Sequence, residues 1–141
     1  MEEYIVKVYQ DNCGKVIRWY QNDQLHRLDG PAYIEFYENG NTEYEYYFLN
    51  GKRHNENGPA QICYYENGNK CFEFYILNGK SHNENGPAAI YYCKNGDIES
   101  EYYYLNGVKF SKEEWLKKTN KESCENKVVE IEGKKYKLTA V

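Results

Sequence analysis

Along most of the chain, apolar and aromatic side chains alternate with polar ones in strand-length runs, and each run stops at an Asn-Gly or Gly-Pro step. Ala32-Tyr33-Ile34-Glu35-Phe36-Tyr37 is one such run, and Tyr44-Glu45-Tyr46-Tyr47-Phe48-Leu49 is the next. Alternation rich in β-branched and aromatic residues and bounded by turn formers predicts β-strands joined as hairpins. Period-two counting puts Ala32, Ile34 and Phe36 on one face, matched by Ala60, Ile62, Tyr64 and by Ala88, Ile90, Tyr92. This column is the expected core side. On the second strand, Glu45, Tyr47 and Leu49 align with Glu73, Tyr75, Leu77 and with Glu101, Tyr103, Leu105.

These matches arise because the chain repeats itself. His54-Asn55-Glu56-Asn57-Gly58-Pro59-Ala60 returns unchanged as His82 to Ala88, and His26 to Ala32 is a looser copy. Gly30, Gly58 and Gly86 keep a 28-residue step, as do Gly40, Gly68, Gly96 and Gly51, Gly79, Gly107. A fixed period of this size marks a stacked repeat array. Each copy carries two turn signals. Glu38-Asn39-Gly40-Asn41 and its equivalents put Asn-Gly between strands, where a type I′ turn with positive φ at both central residues is expected. Leu49-Asn50-Gly51 and its equivalents close the other end.

The ends depart from the repeat, as the ends of such arrays do. Tyr4 to Tyr9 and Lys15 to Tyr20 read as a degenerate hairpin, with Asn22-Asp23 standing for Asn-Gly. Ser111-Lys112-Glu113-Glu114 reads as a capping box opening a short helix, whose Trp115 and Leu116 face the last hairpin. Lys117 and Lys118 fall at its C-terminal end, where the dipole favours them. A polar linker, Thr119 to Asn126, leads to Val128–Ile131, a Glu132-Gly133 turn and a last strand from Tyr136 to Val141. The expected fold is mainly β: a single twisted antiparallel meander with one short C-terminal helix and a closing hairpin. The chain is expected to form one domain over 1–141, with a degenerate hairpin over 1–25, three repeats over 26–109, and a capping helix and hairpin over 110–141.

Composition narrows the function classes. The chain has 141 residues, a net charge of −4 and seventeen tyrosines against five phenylalanines. Tyrosine suits half-wet sheet surfaces, and the acidic balance disfavours tracking of a phosphate backbone. The first residues, Met1 to Val6, show neither the basic nor the apolar region of a secretory leader, and no apolar run is long enough to span a bilayer. A cytoplasmic location with reduced cysteines is therefore expected.

The run Asn-Gly-Lys-x-His-x-x-x-Gly-Pro-Ala, at 50–60 and 78–88, resembles a 28-residue repeat of phage and giant-virus proteins. It is also distantly similar to MORN-type hairpin repeats, including the MORN-variant antitoxins of bacteria. The resemblance covers residues 15–110. It implies a small β-repeat protein with a binding or inhibitory role, in the host cytoplasm for a viral chain, and it carries no functional residue across.

The chemistry-bearing residues fit that role better than catalysis. His26, His54 and His82 share one repeat position, so equivalent atoms lie about 9–10 Å apart at two strands per repeat. That is too far to converge on one metal ion, and each imidazole is expected to fix its loop by bonding a backbone group beside Asn-Gly-Pro. Cys13, Cys63, Cys71, Cys93 and Cys124 share no repeat position. Cys63 and Cys71 flank one turn as expected cross-strand neighbours, in a small apolar role. No Gly-rich phosphate loop is present, and no cysteine–histidine pair is singled out as nucleophile and base. Neither a metal nor a cofactor is expected.

The expected function is a non-enzymatic protein-binding module, a phage- or virus-encoded inhibitor or toxin-neutralising protein. Its expected site is the ladder Glu45, Tyr47, Glu73, Tyr75, Glu101 and Tyr103, facing a basic protein partner, since tyrosine is a favoured interface anchor. The same ladder also reads as a solvated face whose glutamates discourage edge pairing. One alternative is a small-ligand or nucleotide-binding protein that stacks bases on tyrosine rings. A second is a structural protein that self-assembles into homo-oligomers through its edge strands.

Overall fold

In the computed structural model, which describes residues 3–12, 14–120 and 128–137, the alternating runs form strands of one antiparallel meander. β1 (Ile5–Asp11) and β2 (Gly14–Gln21) make the first hairpin, and a short β3 (Gln24–Leu25) folds back on β2. The first repeat contributes β4 (Tyr33–Phe36), β5 (Thr42–Tyr46), β6 (Phe48–Leu49) and β7 (Lys52–Arg53). The second contributes β8 (Gln61–Tyr64), β9 (Lys70–Phe74), β10 (Ile76–Leu77) and β11 (Lys80–Ser81). The third contributes β12 (Ala89–Tyr92), a longer β13 (Ile98–Leu105) and β14 (Val108–Phe110). The main sheet runs β1-β2-β4-β5-β8-β9-β12-β13-β14, while β6-β7 and β10-β11 form small two-stranded ladders beside it.

The helix α1 (Lys112–Lys118) and the hairpin of β15 (Val128–Ile131) and β16 (Lys134–Lys137) follow. Among the described residues β15 and β16 pair only with each other. The last strand starts at Lys134, two residues before the expected Tyr136. Its expected continuation over 138–141, most of the expected linker, and Cys13 and Cys124 lie outside the described residues. No described helix is long and apolar enough to cross a membrane.

The type I′ geometry expected at the Glu-Asn-Gly signal is found at the Leu-Asn-Gly signal instead. Asn50 and Gly51 both have positive φ, 50° and 77°, with Leu49 paired to Lys52, so the Leu-Asn-Gly signal makes the type I′ turn. At the Glu-Asn-Gly signal only Gly40 is left-handed, φ 86°, and its N–H donates to Tyr37 O at 2.9 Å. That is a type I turn followed by a bulged glycine, and a register shift between Glu35 and Phe36 accompanies it. Asn22 and Asp23, both left-handed, match the type I′ turn one repeat earlier, at the strain non-glycine residues bear there.

Register decides what each face carries. Ile34 pairs with Glu45, Glu45 with Ile62, Ile62 with Glu73, Glu73 with Ile90 and Ile90 with Glu101. Directly paired residues share a face, so the expected core column and the glutamate ladder stand side by side. Ala32, Ala60 and Ala88 are fully buried there, with Ile62 and Glu73. The opposite face carries a ladder of rings, Tyr33, Tyr46, Tyr44, Phe72, Phe74, Tyr91 and Tyr102, with consecutive centroids 4.5–6.4 Å apart. Burial therefore comes from neighbours within the layer, and both faces stay half-open.

Polar links close each repeat on itself and bind one repeat to the next. The Asn50 N–H donates to His26 Nδ1 at 3.0 Å, Asn78 to His54 at 3.0 Å and Asn106 to His82 at 2.9 Å. Gly51, Gly79 and Gly107 donate to the carbonyls of Leu25, Arg53 and Ser81, the residues before each histidine. The histidines thus bond backbone, as expected, but the backbone is that of the type I′ turn at the far end of the same repeat and not of the Gly-Pro loop. At the other edge the Tyr37 hydroxyl donates to Tyr64 O and the Tyr65 hydroxyl to Tyr92 O. His54→Leu removes the acceptor of the N–H of exposed Asn78 and is expected to cost about 0.5–1.5 kcal/mol. Hydrogen exchange at the Asn78 amide checks it: exchange quickens, while amides of the neighbouring β4 and β12 keep their protection relative to global unfolding.

The capping box forms as its residues predict. Ser111 Oγ accepts from the Glu114 N–H and the Glu114 carboxylate accepts from the Ser111 N–H, each at 3.1 Å. Trp115 is buried against Tyr103 at a centroid distance of 5.1 Å.

Candidate protein-binding face

The site is built on a column of rings, in which Tyr47 separates β5 from β6 and Tyr75 separates β9 from β10. Tyr47, Tyr75 and Tyr103 occupy one repeat position, and Trp19 holds the same position in the first hairpin. The shared backbone bonding shows it: Trp19, Tyr47 and Tyr75 each donate their N–H to an alanine carbonyl (Ala32, Ala60, Ala88) and accept from a histidine N–H. Over this column of rings stand the Gly-Pro loops. Asn55 shapes its loop by accepting the Asn57 N–H at 3.0 Å and donating Nδ2–H to Pro59 O at 3.0 Å, and Asn83 repeats both bonds. In the looser first copy Arg27 takes over, donating to Pro31 O at 3.3 Å and to Asp29 at 2.8 Å. That hydrogen bond, and the guanidinium charge behind it, hold the Asp29 carboxyl below its usual range.

The loops and rings enclose clefts at repeat spacing. Asn55, Asn57, His82 and Asn83 wall a cleft of about 510 Å³ floored by Tyr75, Leu77 and Ile90. A smaller one, about 210 Å³, lies over Tyr47 between Arg27 and the His54–Asn57 loop. Its larger neighbour is within the size range of ligand pockets, roughly 300–1,000 Å³. The exposed carboxylates of Glu56 and Glu84 stand at the rim, 3.5 and 3.6 Å from the Nε2 atoms of His54 and His82. At the two ends of the column the rings are covered: Arg27 lies 4.3 Å over Trp19, and Trp115 covers Tyr103.

The six residues expected from the sequence lie on this one face, with different roles. Tyr47 and Tyr75 are half-buried cleft floors, and burial raises both phenols. Tyr103 is buried beneath Trp115 and packs. Glu45 accepts the Tyr64 hydroxyl at 3.0 Å, and buried Glu73 accepts Tyr92 at 3.3 Å while pairing with Lys70. These two carboxylates are partnered inside the protein and tie consecutive repeats together. Glu101 is exposed, 3.5 Å from the Tyr103 hydroxyl. The loop residues Asn55 and Asn83, and Trp115 as a cleft filler, were missing from the expectation. Their signal was the unchanged His-Asn-Glu-Asn-Gly-Pro-Ala run, far stricter than a turn requires.

Other chemistry is quiet. Cys63 is buried beside Cys71, as expected, and burial first, then the Cys71 hydrogen bond, pushes its thiol up to about 12. Such a thiol is a poor nucleophile. Among the described residues no three His, Cys, Asp or Glu side chains gather around a common point.

The tyrosines set the behaviour in alkali. Burial pushes the phenols of Tyr33, Tyr37 and Tyr92 up to about 12, and Tyr44 and Tyr64 higher still. In the unfolded chain they titrate near 10. Each then holds its proton more tightly when folded, so its stabilising contribution is full below pH 10 and is lost as pH rises through 12. Melting temperature is expected to fall steadily from pH 10 to 12, with part of the 295 nm phenolate absorbance appearing only on unfolding. A flat melting temperature across that range, with every tyrosine titrating near pH 10, would contradict it.

Compared with protein-family models, with curated proteins and with solved structures, the chain has no match.

Proposed function

We propose that this chain is a non-enzymatic protein-binding repeat module, which takes side chains of a partner into the clefts over Tyr75 and Tyr47. The observation that carries this reading is the pair of tyrosine-floored clefts, one repeat apart, between successive Gly-Pro loops, with Glu56 and Glu84 at the rim of the larger one. A half-buried phenol in a concave, mixed polar and apolar setting is the usual surroundings of an interface anchor. The rim glutamates and the net charge of −4 favour a basic partner surface. The likeness of the repeat to phage and giant-virus repeats suggests neutralisation of a host protein or toxin as the mode of action.

The test is affinity capture with the full chain, followed by direct titration of the recovered protein against wild type, Y75S and Y47S. Tyr103 is left alone because it is buried packing. Loss of affinity by tenfold or more with Y75S, at unchanged circular dichroism, supports the reading. Affinity equal to wild type in both variants overturns it.

A second reading, self-association, has its own observation. Among the described residues β1 pairs with β2 alone, and its Ile5, Val6, Val8 and Tyr9 are all exposed, 46–58%. Trp19 in β2 turns its N–H and C=O away from β1. Hydrogen-bonding direction alternates along strands, so the backbone groups of Val6, Val8 and Gln10, which register opposite Trp19, Ile17 and Lys15, point outward. An unprotected strand of this kind is a template for another. Sedimentation across a wide concentration range decides: a dimer abolished by V8K favours this reading, and a strict monomer removes it.

A further inference from the structure

We infer that the cleft over Tyr75 is built to receive a tryptophan side chain from a short basic helix of the partner. The inference rests on the binding-module reading above and adds the chemistry of the occupant.

The chain itself shows one such site filled. On the last repeat Trp115 lies against Tyr103, 5.1 Å between centroids, and its indole Nε1–H donates to the Asn83 carbonyl at 2.9 Å. Both contacted groups belong to the repeat. One copy earlier the same positions are Tyr75 and Asn55, and both line the open cleft. The equivalence extends to the bonds that hold them. Asn83 N–H donates to Tyr104 O and Asn55 N–H donates to Ile76 O, each at 3.1 Å, so the two loops sit at one height over their strands. The side chains of Asn55 and Asn83 make the same pair of loop bonds. Tyr75 and Asn55 thus repeat the two groups that hold Trp115, while the loop from His82 to Pro87 adds a wall where the last repeat has α1 in place of a further loop.

Two features choose the occupant. A flat ring against Tyr75, with an N–H reaching the Asn55 carbonyl, satisfies an aromatic contact and a backbone acceptor together, which among side chains indole does best. Charge fixes the flank: Glu56 and Glu84 rim the cleft, and in α1 the tryptophan is followed by Leu116, Lys117 and Lys118. A helix of the pattern Trp-Leu-Lys-Lys therefore complements the cleft in shape, hydrogen bonding and charge. The cleft over Tyr47 is less than half as large and has Arg27 in its wall, so it repels the basic flank and is the weaker site.

The probe is a synthetic peptide spanning residues 110–120, titrated by calorimetry into the full-length protein, with assignment of the perturbed amides by NMR. Saturable binding that perturbs Asn55, Tyr75 and Asn83 is expected. Y75S should weaken it at least tenfold, and a peptide carrying phenylalanine in place of Trp115 should bind about fivefold more weakly for want of the N–H donor. E56K should weaken it by a smaller, salt-sensitive factor, with the fold unchanged because the side chain is exposed. Absence of binding, or binding indifferent to Y75S, overturns the inference. Equal affinity of the tryptophan and phenylalanine peptides overturns the indole assignment. Either failure leaves the module reading to its own test, since a captured partner can still lose affinity on Y75S while this peptide does not compete with it.

Discussion

Replacing Lys70 with methionine is expected to cost the fold about 2–3 kcal/mol. The Glu73 carboxylate is 6% exposed, sits between Ile62 and Ile90 in register, and has the Lys70 ammonium and the Tyr92 hydroxyl as partners. Removing the ammonium leaves a buried charge with a single phenol to satisfy it. The cost falls below that of a fully interior pair because Lys70 is 47% exposed and its charge is partly solvated already. Urea denaturation measures it directly. The double variant K70M/E73Q is expected to recover most of the loss, since a neutral amide oxygen still accepts from Tyr92 and no charge is stranded. A K70M cost no larger than that of an exposed ion pair, under about 1 kcal/mol, would mean water reaches Glu73 in solution.

This buried glutamate also marks how far the sequence could be read. Alternation, turn formers and the 28-residue step were enough to place the strands, the degenerate first hairpin and the helix with its cap. They were enough for the Ala-Ile column as well, because period two within a strand is local information. Register between strands is not local. A bulge at Glu43, opposite the Glu35–Phe36 step, shifts β5 against β4 so that Ile34 faces Glu45, and only then do acid and apolar columns share a face. Both turn signals contain Asn-Gly, so dipeptide chemistry could not tell the type I′ turn from the type I turn with a bulge; the number of residues between the paired strands decides. The histidine partners lie 24 residues away, at the other end of the repeat. The clefts arise between loops of successive copies, so no single copy of the motif displays one. Tyr47 and Tyr75 were legible as recurring rings, but the split of roles from Tyr103 depended on where Trp115 lands.

Substituting Trp115 by alanine is therefore the experiment with the widest reach. The side chain is 4% exposed, its ring lies on Tyr103 and its N–H is bonded to Asn83 O. Truncating a buried tryptophan costs about 3–5 kcal/mol. Here α1 lies outside the sheet order and, among the described residues, rests against β13 and β14. Much of that loss should appear as undocking of the helix: α1 amides exchange freely, while those of β4, β5, β8 and β9 stay protected. The uncovered Tyr103 and the Asn83 carbonyl then form a further cleft of the same kind. Only one tryptophan, Trp19, remains in this variant, so its fluorescence reports the first hairpin alone. If the clefts are equivalent, the 110–120 peptide raises the melting temperature of W115A more than that of wild type, because ligand that binds the folded state stabilises by mass action at each site it fills. Equal rises in the two proteins, or none, would show that Tyr103 needs α1 attached in cis, and that repeat equivalence does not extend to binding.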